Sequence, residues 1–216
     1  MTTPFKIVIP ARYASSRLPG KPLLELAGRP MLQHVHERAA ESEAAEIIIA
    51  TDDDRIEQAA TAFGAKVCMT SARHESGTER LAEVAEQHAW DDDEIVVNLQ
   101  GDEPLMPPHL IDQVAHDLSA HDDAVIATLA YPLEATLNEA DPHVVKVVLD
   151  EGGYAMYFSR APIPWHRDPH ETGRGIGGSN PVLHHLGLYA VEDVFRISIA
   201  GVQEQPAFLQ IDNQWQ

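Results

Sequence analysis

In the first 133 residues of the chain, short apolar runs alternate with longer stretches whose apolar residues have helical spacing. The apolar runs, which predict strands, are residues 6–11, 46–52, 65–70, 94–104 and 123–133. The stretches between them, which predict helices, are residues 30–43, 53–63, 77–89 and 107–120. Strands and helices in regular succession are typical of an α/β fold with a mainly parallel sheet.

The pattern changes after about residue 140. Residues 143–160, HVVKVVLDEGGYAMYFSR, contain two β-rich runs around DEGGY, which predicts a hairpin. Residues 161–181 are rich in Pro and Gly, which indicates a loop. Residues 184–190, HHLGLYA, predict one more strand.

The chain is strongly acidic, with a formal net charge of -19. Residues 81–145 contain Asp and Glu but neither Lys nor Arg, and such a surface repels nucleic acid and anionic membranes. No apolar run approaches the ~18 residues of a membrane span. Cys68 is the single cysteine, which excludes an internal disulfide and suits a reducing compartment. We therefore expect a cytoplasmic protein that neither binds nucleic acid nor inserts into a membrane.

Against this acidic background, residues 1–24 contain four cations and no acid. The loop after the first apolar run includes Arg12, Ser15, Ser16, Arg17, Gly20 and Lys21. Guanidinium groups, an ammonium group, small hydroxyls and the close backbone approach that glycine permits are what a polyphosphate needs. The alternative is an ordinary basic surface loop. The segment has neither the G-x-x-x-x-G-K-[ST] pattern of P-loop ATPases nor the G-x-G-x-x-G pattern of Rossmann dehydrogenases.

A second candidate stretch is NLQGDEP, residues 98–104. Asp102 and Glu103 come at the carboxyl end of a predicted strand, on the edge of the sheet where the cationic loop also begins. Carboxylates there suit Mg²⁺, which commonly binds through one or two carboxylates together with substrate phosphates. The alternative is a turn that carries solvated acids.

A third candidate stretch is HESGTERL, residues 74–81. Ser76 and Glu79 have the spacing of a capping box, which predicts a helix start. Arg80 falls in the first turns of that helix, where the helix dipole disfavours a cation. An anionic ligand at this position would offset that cost.

The three candidate stretches lie within longer segments, which read IPARYASSRLPGKPL, VCMTSARHESGTERLAEV and IVVNLQGDEPLMPP. A further segment reads VVKVVLDEGGYAMYFSRAPIPWHRD. Through them the chain resembles the bacterial 3-deoxy-manno-octulosonate cytidylyltransferases, or CMP-Kdo synthetases, over roughly residues 5–190. The resemblance implies a three-layer, Rossmann-like α/β fold of the nucleotide-diphospho-sugar transferase type, with a small β-rich dimerisation part. It divides the single domain of residues 1–216 into a nucleotide-binding core (1–133), a sugar-binding and dimerisation part (134–190) and a tail (191–216).

The resemblance also implies an activity. In that family CMP passes from CTP to the anomeric hydroxyl of 3-deoxy-D-manno-octulosonate (Kdo), pyrophosphate leaves, and Mg²⁺ is the cofactor. The product serves lipopolysaccharide synthesis in the Gram-negative cytoplasm, and the enzyme is usually a homodimer. We therefore expect CTP and Kdo as partners of this chain. Little covalent work falls to the protein in such a transfer, so catalysis would rest on positioning and charge neutralisation.

The resemblance assigns roles to particular residues. The catalytic residues would be Arg12, Lys21 and Asp102, and Asp102 would also hold Mg²⁺. The nucleotide-binding residues would be Arg12, Ser15, Arg17, Lys21, Arg73, Ser76 and Gly77. The sugar-binding residues would be Arg80, Gln100, Arg160, His185 and Tyr189. For His185 the alternative is a structural histidine on a strand.

After Tyr189 the sequence departs from the family pattern. The family continues to an Asp that supplies a second metal carboxylate, and residues 191–216 contain no stretch that matches it. We expect this tail to leave out part of the sugar pocket and one layer of sheet or helix, and to weaken or abolish turnover while CTP binding is partly kept. The alternatives are a cytidylyltransferase for a related acidic sugar and a non-catalytic CTP-binding protein.

Overall fold

The apolar runs of the sequence form the strands of one large sheet. The computed structural model describes residues 3–14, 18–74, 76–133, 138–163 and 182–192, together with the backbone of residues 209–212. The helices in these ranges are α1 (Met31–Ala40), α2 (Asp54–Ala62), α3 (Gly77–His88) and α4 (Pro108–Ser119). The strands are β1 (Phe5–Ala11), β2 (Glu25–Leu26), β3 (Arg29–Pro30), β4 (Glu46–Thr51), β5 (Lys66–Met69), β6 (Ile95–Asn98), β7 (Ile126–Pro132), β8 (Lys146–Leu149), β9 (Ala155–Ser159), β10 (Leu183–Val191) and β11 (Leu209–Asp212).

The sheet is mixed, with a parallel block at its centre. β6, β1, β4 and β5 lie side by side in this order, and each neighbouring pair is parallel. β10 runs antiparallel between β6 and β7, and it also pairs with β8, which carries β9 as a hairpin. β2 and β3 form a separate two-stranded ribbon. The predicted α/β fold with a mixed, mainly parallel sheet is confirmed.

Helices cover both faces of the parallel block, and the side chains of β1 show how the sequence directs this. Ile7 and Ile9 belong to a buried cluster that contains Ile111 of α4. Val8, between them, belongs to the cluster on the opposite face together with Leu81 of α3. Each fully buried aliphatic side chain contributes roughly 1.5–3 kcal/mol. The result is the expected arrangement of helix, sheet and helix layers.

The hairpin predicted around DEGGY is present as β8 and β9. Its turn is held by Asp150, whose Oδ1 accepts hydrogen bonds from the backbone N–H groups of Gly152 and Tyr154, both at 2.9 Å. The loop predicted over residues 161–181 is described only as far as residue 163, so most of it lies outside the described residues.

One expectation about the strands is wrong. The run 94–104 forms a strand only over Ile95–Asn98, because the chain then turns and the N–H of Glu103 bonds to the carbonyl of Gln100 at 3.2 Å. Within the tail, Leu209–Asp212 pairs in parallel with β7 and adds a strand to the sheet.

α3 and α4, at 12 residues each, are the longest helices in the described part of the chain. Within these ranges no helix has both the length and the apolarity that crossing a membrane requires.

Candidate active site

The candidate site lies where the parallel strands β1, β4 and β6 end. Arg12 follows β1, Asp52 follows β4 and Gln100 lies just beyond β6, so the three loops emerge at one edge of the sheet. Gly77, the first residue of α3, lies next to Asn98, the last residue of β6: a Cβ on Gly77 would lie 3.5 Å from Asn98 Nδ2. α3 therefore begins beside this edge. Open parallel sheets bind their ligands at the carboxyl ends of the strands.

Two contacts join the three candidate stretches of the sequence. Arg12 Nη2 donates a hydrogen bond to the carbonyl oxygen of Ser76 at 3.2 Å, which connects the cationic loop to the start of α3. Lys21 Nζ donates to Asp102 Oδ2 at 2.5 Å, which connects the same loop to the turn after β6. The Lys21 and Asp102 side chains are 38% and 47% exposed, so their ion pair contributes little stability and can be reached by a ligand.

The cationic loop is closed at its base by Tyr13 and Gly20. The N–H of Gly20 donates to the carbonyl of Tyr13 at 2.8 Å, and Gly20 has a positive φ of 73°. A Cβ on Gly20 would lie 3.1 Å from Tyr13 Cε2, so the ring packs directly against the glycine. Of the ligands predicted in this loop, Ser15 and Arg17 lie outside the described residues.

Gly101 lies in the turn after β6, at a close approach of two backbones. A Cβ at this position would lie 2.9 Å from the carbonyl oxygen of Pro10. The glycine therefore allows the turn that carries Asp102 to pack against the end of β1.

The start of α3 has the predicted capping box. Ser76 Oγ accepts from the Glu79 N–H at 3.2 Å, and Glu79 Oε2 accepts from the Ser76 N–H at 3.4 Å. Arg73, in the loop before the helix, is exposed, and its backbone N–H donates to Ser71 Oγ at 3.1 Å. The N-terminus of a helix favours an anion, so α3 adds to the positive potential that Arg12 and Lys21 supply.

Arg80 does not lie on the surface of the site. Its side chain is 0% exposed, its Nη1 donates to Thr70 Oγ1, and its Nη2 lies 3.5 Å from Asp52 Oδ2. Burial lowers the pKa of the guanidinium, the carboxylate of Asp52 opposes this effect and the charge of Arg12 adds to it. Among the described residues, Arg80 therefore supports the site from beneath, and the direct sugar contact expected of it would require the side chain to move.

His185 and Tyr189 approach the same edge from β10. Tyr189 is the register partner of Asn98 at the end of β6, and its ring centroid lies 5.3 Å from that of His185. His185 Nε2 is 2.9 Å from Thr128 Oγ1. Burial, with a smaller effect of His184, lowers the pKa of His185 to about 4, so its ring is neutral at pH 7. Burial raises the pKa of Tyr189, which keeps the phenol protonated.

Arg160 is held by the β8–β9 hairpin, away from the contacts described above. Its Nη1 donates to the carbonyl of Pro142 at 2.7 Å, and its own carbonyl accepts a hydrogen bond from Lys146 Nζ at 2.6 Å. Of the predicted sugar-binding residues, the structure thus gathers Gln100, His185 and Tyr189 near the ends of β6 and β10.

Sequence reasoning missed the buried Lys146. Its side chain is fully buried, and its ammonium donates to the carbonyls of Asp141 at 3.2 Å, Val144 at 2.7 Å and Arg160 at 2.6 Å. A lysine inside the apolar run VVKVV was the available signal. The partners are backbone atoms, which no side-chain pattern reveals.

The carboxylate oxygens at the turn after β6 are of the type that a hard divalent cation prefers. The pKa of Glu103 in this turn is raised chiefly by desolvation and to a smaller extent by the charge of the neighbouring Asp102. Within the described ranges no group of three or more His, Cys, Asp or Glu side chains could hold a metal ion by itself. Mg²⁺ would therefore take Asp102 as a protein ligand and complete its shell with phosphate oxygens and water.

A mixed, mainly parallel α/β sheet that gathers cations, a helix N-terminus and a carboxylate at one edge is the arrangement of a nucleotidyltransferase of the nucleotide-diphospho-sugar transferase fold. The cytidylyltransferase family model matches residues 6–205. The chain therefore belongs to the cytidylyltransferase family.

Relatives and a solved structure agree with this family. The chain is 58% identical over 188 residues to 3-deoxy-manno-octulosonate cytidylyltransferase of Thioalkalivibrio sulfidiphilus (strain HL-EbGR7), which covers 86% of this chain and 74% of the relative. It is 52% identical over 208 residues to the protein of the same name of Halorhodospira halophila (strain DSM 244 / SL1), covering 95% and 81%. A structure of CMP:2-keto-3-deoxy-manno-octonic acid synthetase complexed with CTP matches with a TM-score of 0.83 and 39% identity, covering 98% of this chain and 90% of that one.

The family likeness extends further than the sequence alone indicated. Resemblance was expected to end at about residue 190, and the first relative's match, 188 residues long, has about that extent. The family model continues to residue 205, and the second relative aligns over 208 residues. The expected departure after about residue 190 thus agrees with the extent of the first relative's match, whereas the family model and the second relative reach further into the tail.

Proposed function

We propose that the protein transfers CMP from CTP to Kdo, giving CMP-Kdo and pyrophosphate, for lipopolysaccharide synthesis. The observation that carries the proposal is the pair of contacts Arg12–Ser76 and Lys21–Asp102, which bring a cationic loop, a helix start and a carboxylate to one sheet edge. The names of the similar proteins, cytidylyltransferases for this sugar, support the choice of substrates.

Catalysis rests on charge and position. In the reaction the anomeric hydroxyl of the sugar attacks the α-phosphorus of CTP, the bond from that phosphorus to the bridging oxygen of the β-phosphate breaks, and pyrophosphate leaves. Arg12 and Lys21 neutralise the triphosphate and the leaving pyrophosphate, and the N-terminus of α3 adds its dipole. Holding both substrates at this edge removes much of the entropic cost of their encounter.

Asp102 is the residue that would hold Mg²⁺. When bound, Mg²⁺ supplies positive charge to the triphosphate oxygens. The carboxylate of Asp102 is paired with Lys21 in this structure, so we infer that the ammonium turns towards the phosphates when the nucleotide and the cation bind.

The sugar side combines neutral hydrogen-bonding groups with a cation. Gln100, the neutral ring of His185 and the protonated phenol of Tyr189 suit the hydroxyls of an acidic sugar. The carboxylate of the sugar requires a positively charged partner. Arg160, which is exposed, and Arg80, which is buried, are the two candidates.

We further propose that the protein is a cytoplasmic homodimer. β9 is the outer strand of its hairpin, and its Met156 and Tyr157 are 69% and 62% exposed. Adjacent residues of a strand point to opposite faces, so both faces of β9 present apolar surface that a second copy could cover. Sedimentation of the wild type and of Met156→Lys tests this: a dimer that the variant weakens supports the proposal, and a monomeric wild type refutes it.

The substrates are tested by product analysis. The purified chain is incubated with CTP, Mg²⁺ and either Kdo or a related acidic sugar such as N-acetylneuraminate, and the products are identified by mass spectrometry and phosphorus NMR. We expect CMP-Kdo and pyrophosphate in equal amounts. Product from another acidic sugar alone would support the related cytidylyltransferase, and CTP binding without any product would support a binding protein.

A further inference from the structure

Tyr13 is the residue on which the base of the cationic loop is built. Its carbonyl accepts the hydrogen bond from the Gly20 N–H at 2.8 Å, and Gly20 packs against its ring. The next residue, Lys21, begins the short helical turn Lys21–Leu23 and reaches Asp102. The backbone of Tyr13 therefore closes the loop, and its ring packs on the glycine that directly precedes Lys21.

The ring of Tyr13 is in turn covered by Arg55 of α2. The guanidinium carbon of Arg55 lies 3.3 Å from the centroid of the Tyr13 ring, which is a close stacking contact. The two residues are far apart in the sequence, so this contact joins the cationic loop to the helix that follows β4.

Asp53 fixes the guanidinium in this orientation. Asp53 Oδ1 accepts from Arg55 Nε at 2.9 Å, and Asp53 Oδ2 accepts from Arg55 Nη2 at 2.6 Å, so the two groups form a bidentate pair. Asp53 Oδ1 also accepts from the backbone N–H of Arg55 at 3.0 Å and caps α2. The hydrogen bonds of Arg55 lower the pKa of Asp53, which stays ionised. The planar fork thus holds the guanidinium face towards Tyr13.

We propose that Arg55 is a positioning residue for the nucleotide: it holds the Tyr13 ring, and through it the closed base of the loop that binds the triphosphate. This inference rests on the proposed function and deepens it, because it adds a residue on α2 that need not touch CTP. A surface ion pair of Asp53 and Arg55 that only stabilises α2 is the competing explanation, since the Arg55 side chain is 57% exposed.

The two explanations differ in what Arg55→Ala changes. The cap of α2 is a bond to the backbone N–H of residue 55, which alanine also has, so the variant keeps it. We expect its melting temperature to stay near that of the wild type. We expect its Kd for CTP, measured by titration calorimetry, to rise about fivefold to tenfold, because a loop that is no longer held in place must be ordered when the triphosphate binds. The KM for Kdo should stay unchanged.

A matched control and a double mutant sharpen the test. Arg38→Ala removes another exposed arginine that is paired with a carboxylate, Glu41, and should leave CTP affinity unchanged. Tyr13→Phe keeps the ring and should bind CTP as the wild type does, whereas Tyr13→Leu should resemble Arg55→Ala. Because both side chains act through one contact, the double mutant Tyr13→Leu with Arg55→Ala should bind CTP no more weakly than the weaker of the two single variants.

The outcomes are distinct. A loss of CTP affinity in Arg55→Ala that is not additive with Tyr13→Leu supports the inference. An Arg55→Ala variant that binds CTP like Arg38→Ala, or an additive double mutant, overturns it while the proposed function stands. A wild type that binds no CTP refutes the proposed function and this inference with it.

Discussion

The ammonium of Lys21 lies 2.5 Å from Oδ2 of Asp102, although 81 residues separate them in the chain. The contact unites the two groups that the proposed reaction needs most, a cation for the departing pyrophosphate and a carboxylate for Mg²⁺. It also places the loop after β1 next to the turn after β6.

Lys21→Ala should lower kcat/KM for CTP by about 100-fold, the usual effect of losing one charge-stabilising donor. Its stability should change by less than about 1 kcal/mol, because the ion pair is exposed. Initial rates and urea denaturation measure the two effects. Lys66→Ala removes a lysine paired with Glu46 at 2.9 Å and should leave the rate unchanged. Equal rates for Lys21→Ala and Lys66→Ala would show that Lys21 has no role in the reaction.

Gly101→Ala should destabilise the protein by about 1–3 kcal/mol, because its Cβ would lie 2.9 Å from the backbone oxygen of Pro10. The shift that relieves this contact would also displace Asp102, so turnover should fall. Gly187→Ala is the control, since a Cβ there has no neighbour within 4 Å. Urea denaturation of the two variants measures the difference. Equal stabilities would mean that the turn after β6 is not held against β1.

Lys146→Met should destabilise the protein by roughly 1–3 kcal/mol, because three carbonyl acceptors would lose a buried donor. One of these carbonyls belongs to Arg160, so the KM for Kdo should rise in the folded variant. Urea denaturation and Kdo titration measure these effects, with Lys66→Met as the exposed control. A variant at least as stable as the wild type would show that desolvation of the ammonium outweighs its hydrogen bonds.

His185 should make the stability depend on pH between about 4 and 6.5. The pKa of His185 is lowered from 6.5 to about 4 in the folded protein, so the unfolded chain binds its proton first as the pH falls. The free energy of unfolding should therefore decrease on acidification, by up to about 3 kcal/mol from this group.

Urea denaturation at several pH values, on the wild type and on His185→Gln, measures this contribution. The variant should lose that part of the pH dependence, while His109→Gln, at an exposed site on α4, should keep it. Identical pH profiles for the wild type and His185→Gln would show that the ring of His185 is accessible to protons in the folded state.

The sequence predicts well whatever depends on local pattern. Successive side chains of β1 point alternately to the two buried faces of the sheet, as its apolar run predicts. The capping box at Ser76 is recognised from four residues, and DEGGY forms the predicted hairpin turn. Arg12 and Asp102 lie in loops at the same edge of the sheet, which follows from the parallel arrangement of β1 and β6.

Other features depend on distant parts of the chain and could not be read in advance. Arg80 was expected to face a sugar, but its place beneath the site is set by Thr70 and Asp52 on neighbouring strand ends. The stacking of Arg55 on Tyr13 joins the cationic loop to α2, and only the folded sheet determines the distance between them. The residues that are neighbours in the sequence do not indicate contacts of this kind between distant parts of the chain.

The most direct test of the account is the rate of pyrophosphate release from CTP and Mg²⁺ by the purified 216-residue chain, with and without Kdo. We expect release that requires Kdo and that falls about 100-fold in Lys21→Ala. Wild-type protein that binds CTP but releases no pyrophosphate when Kdo is added would contradict it.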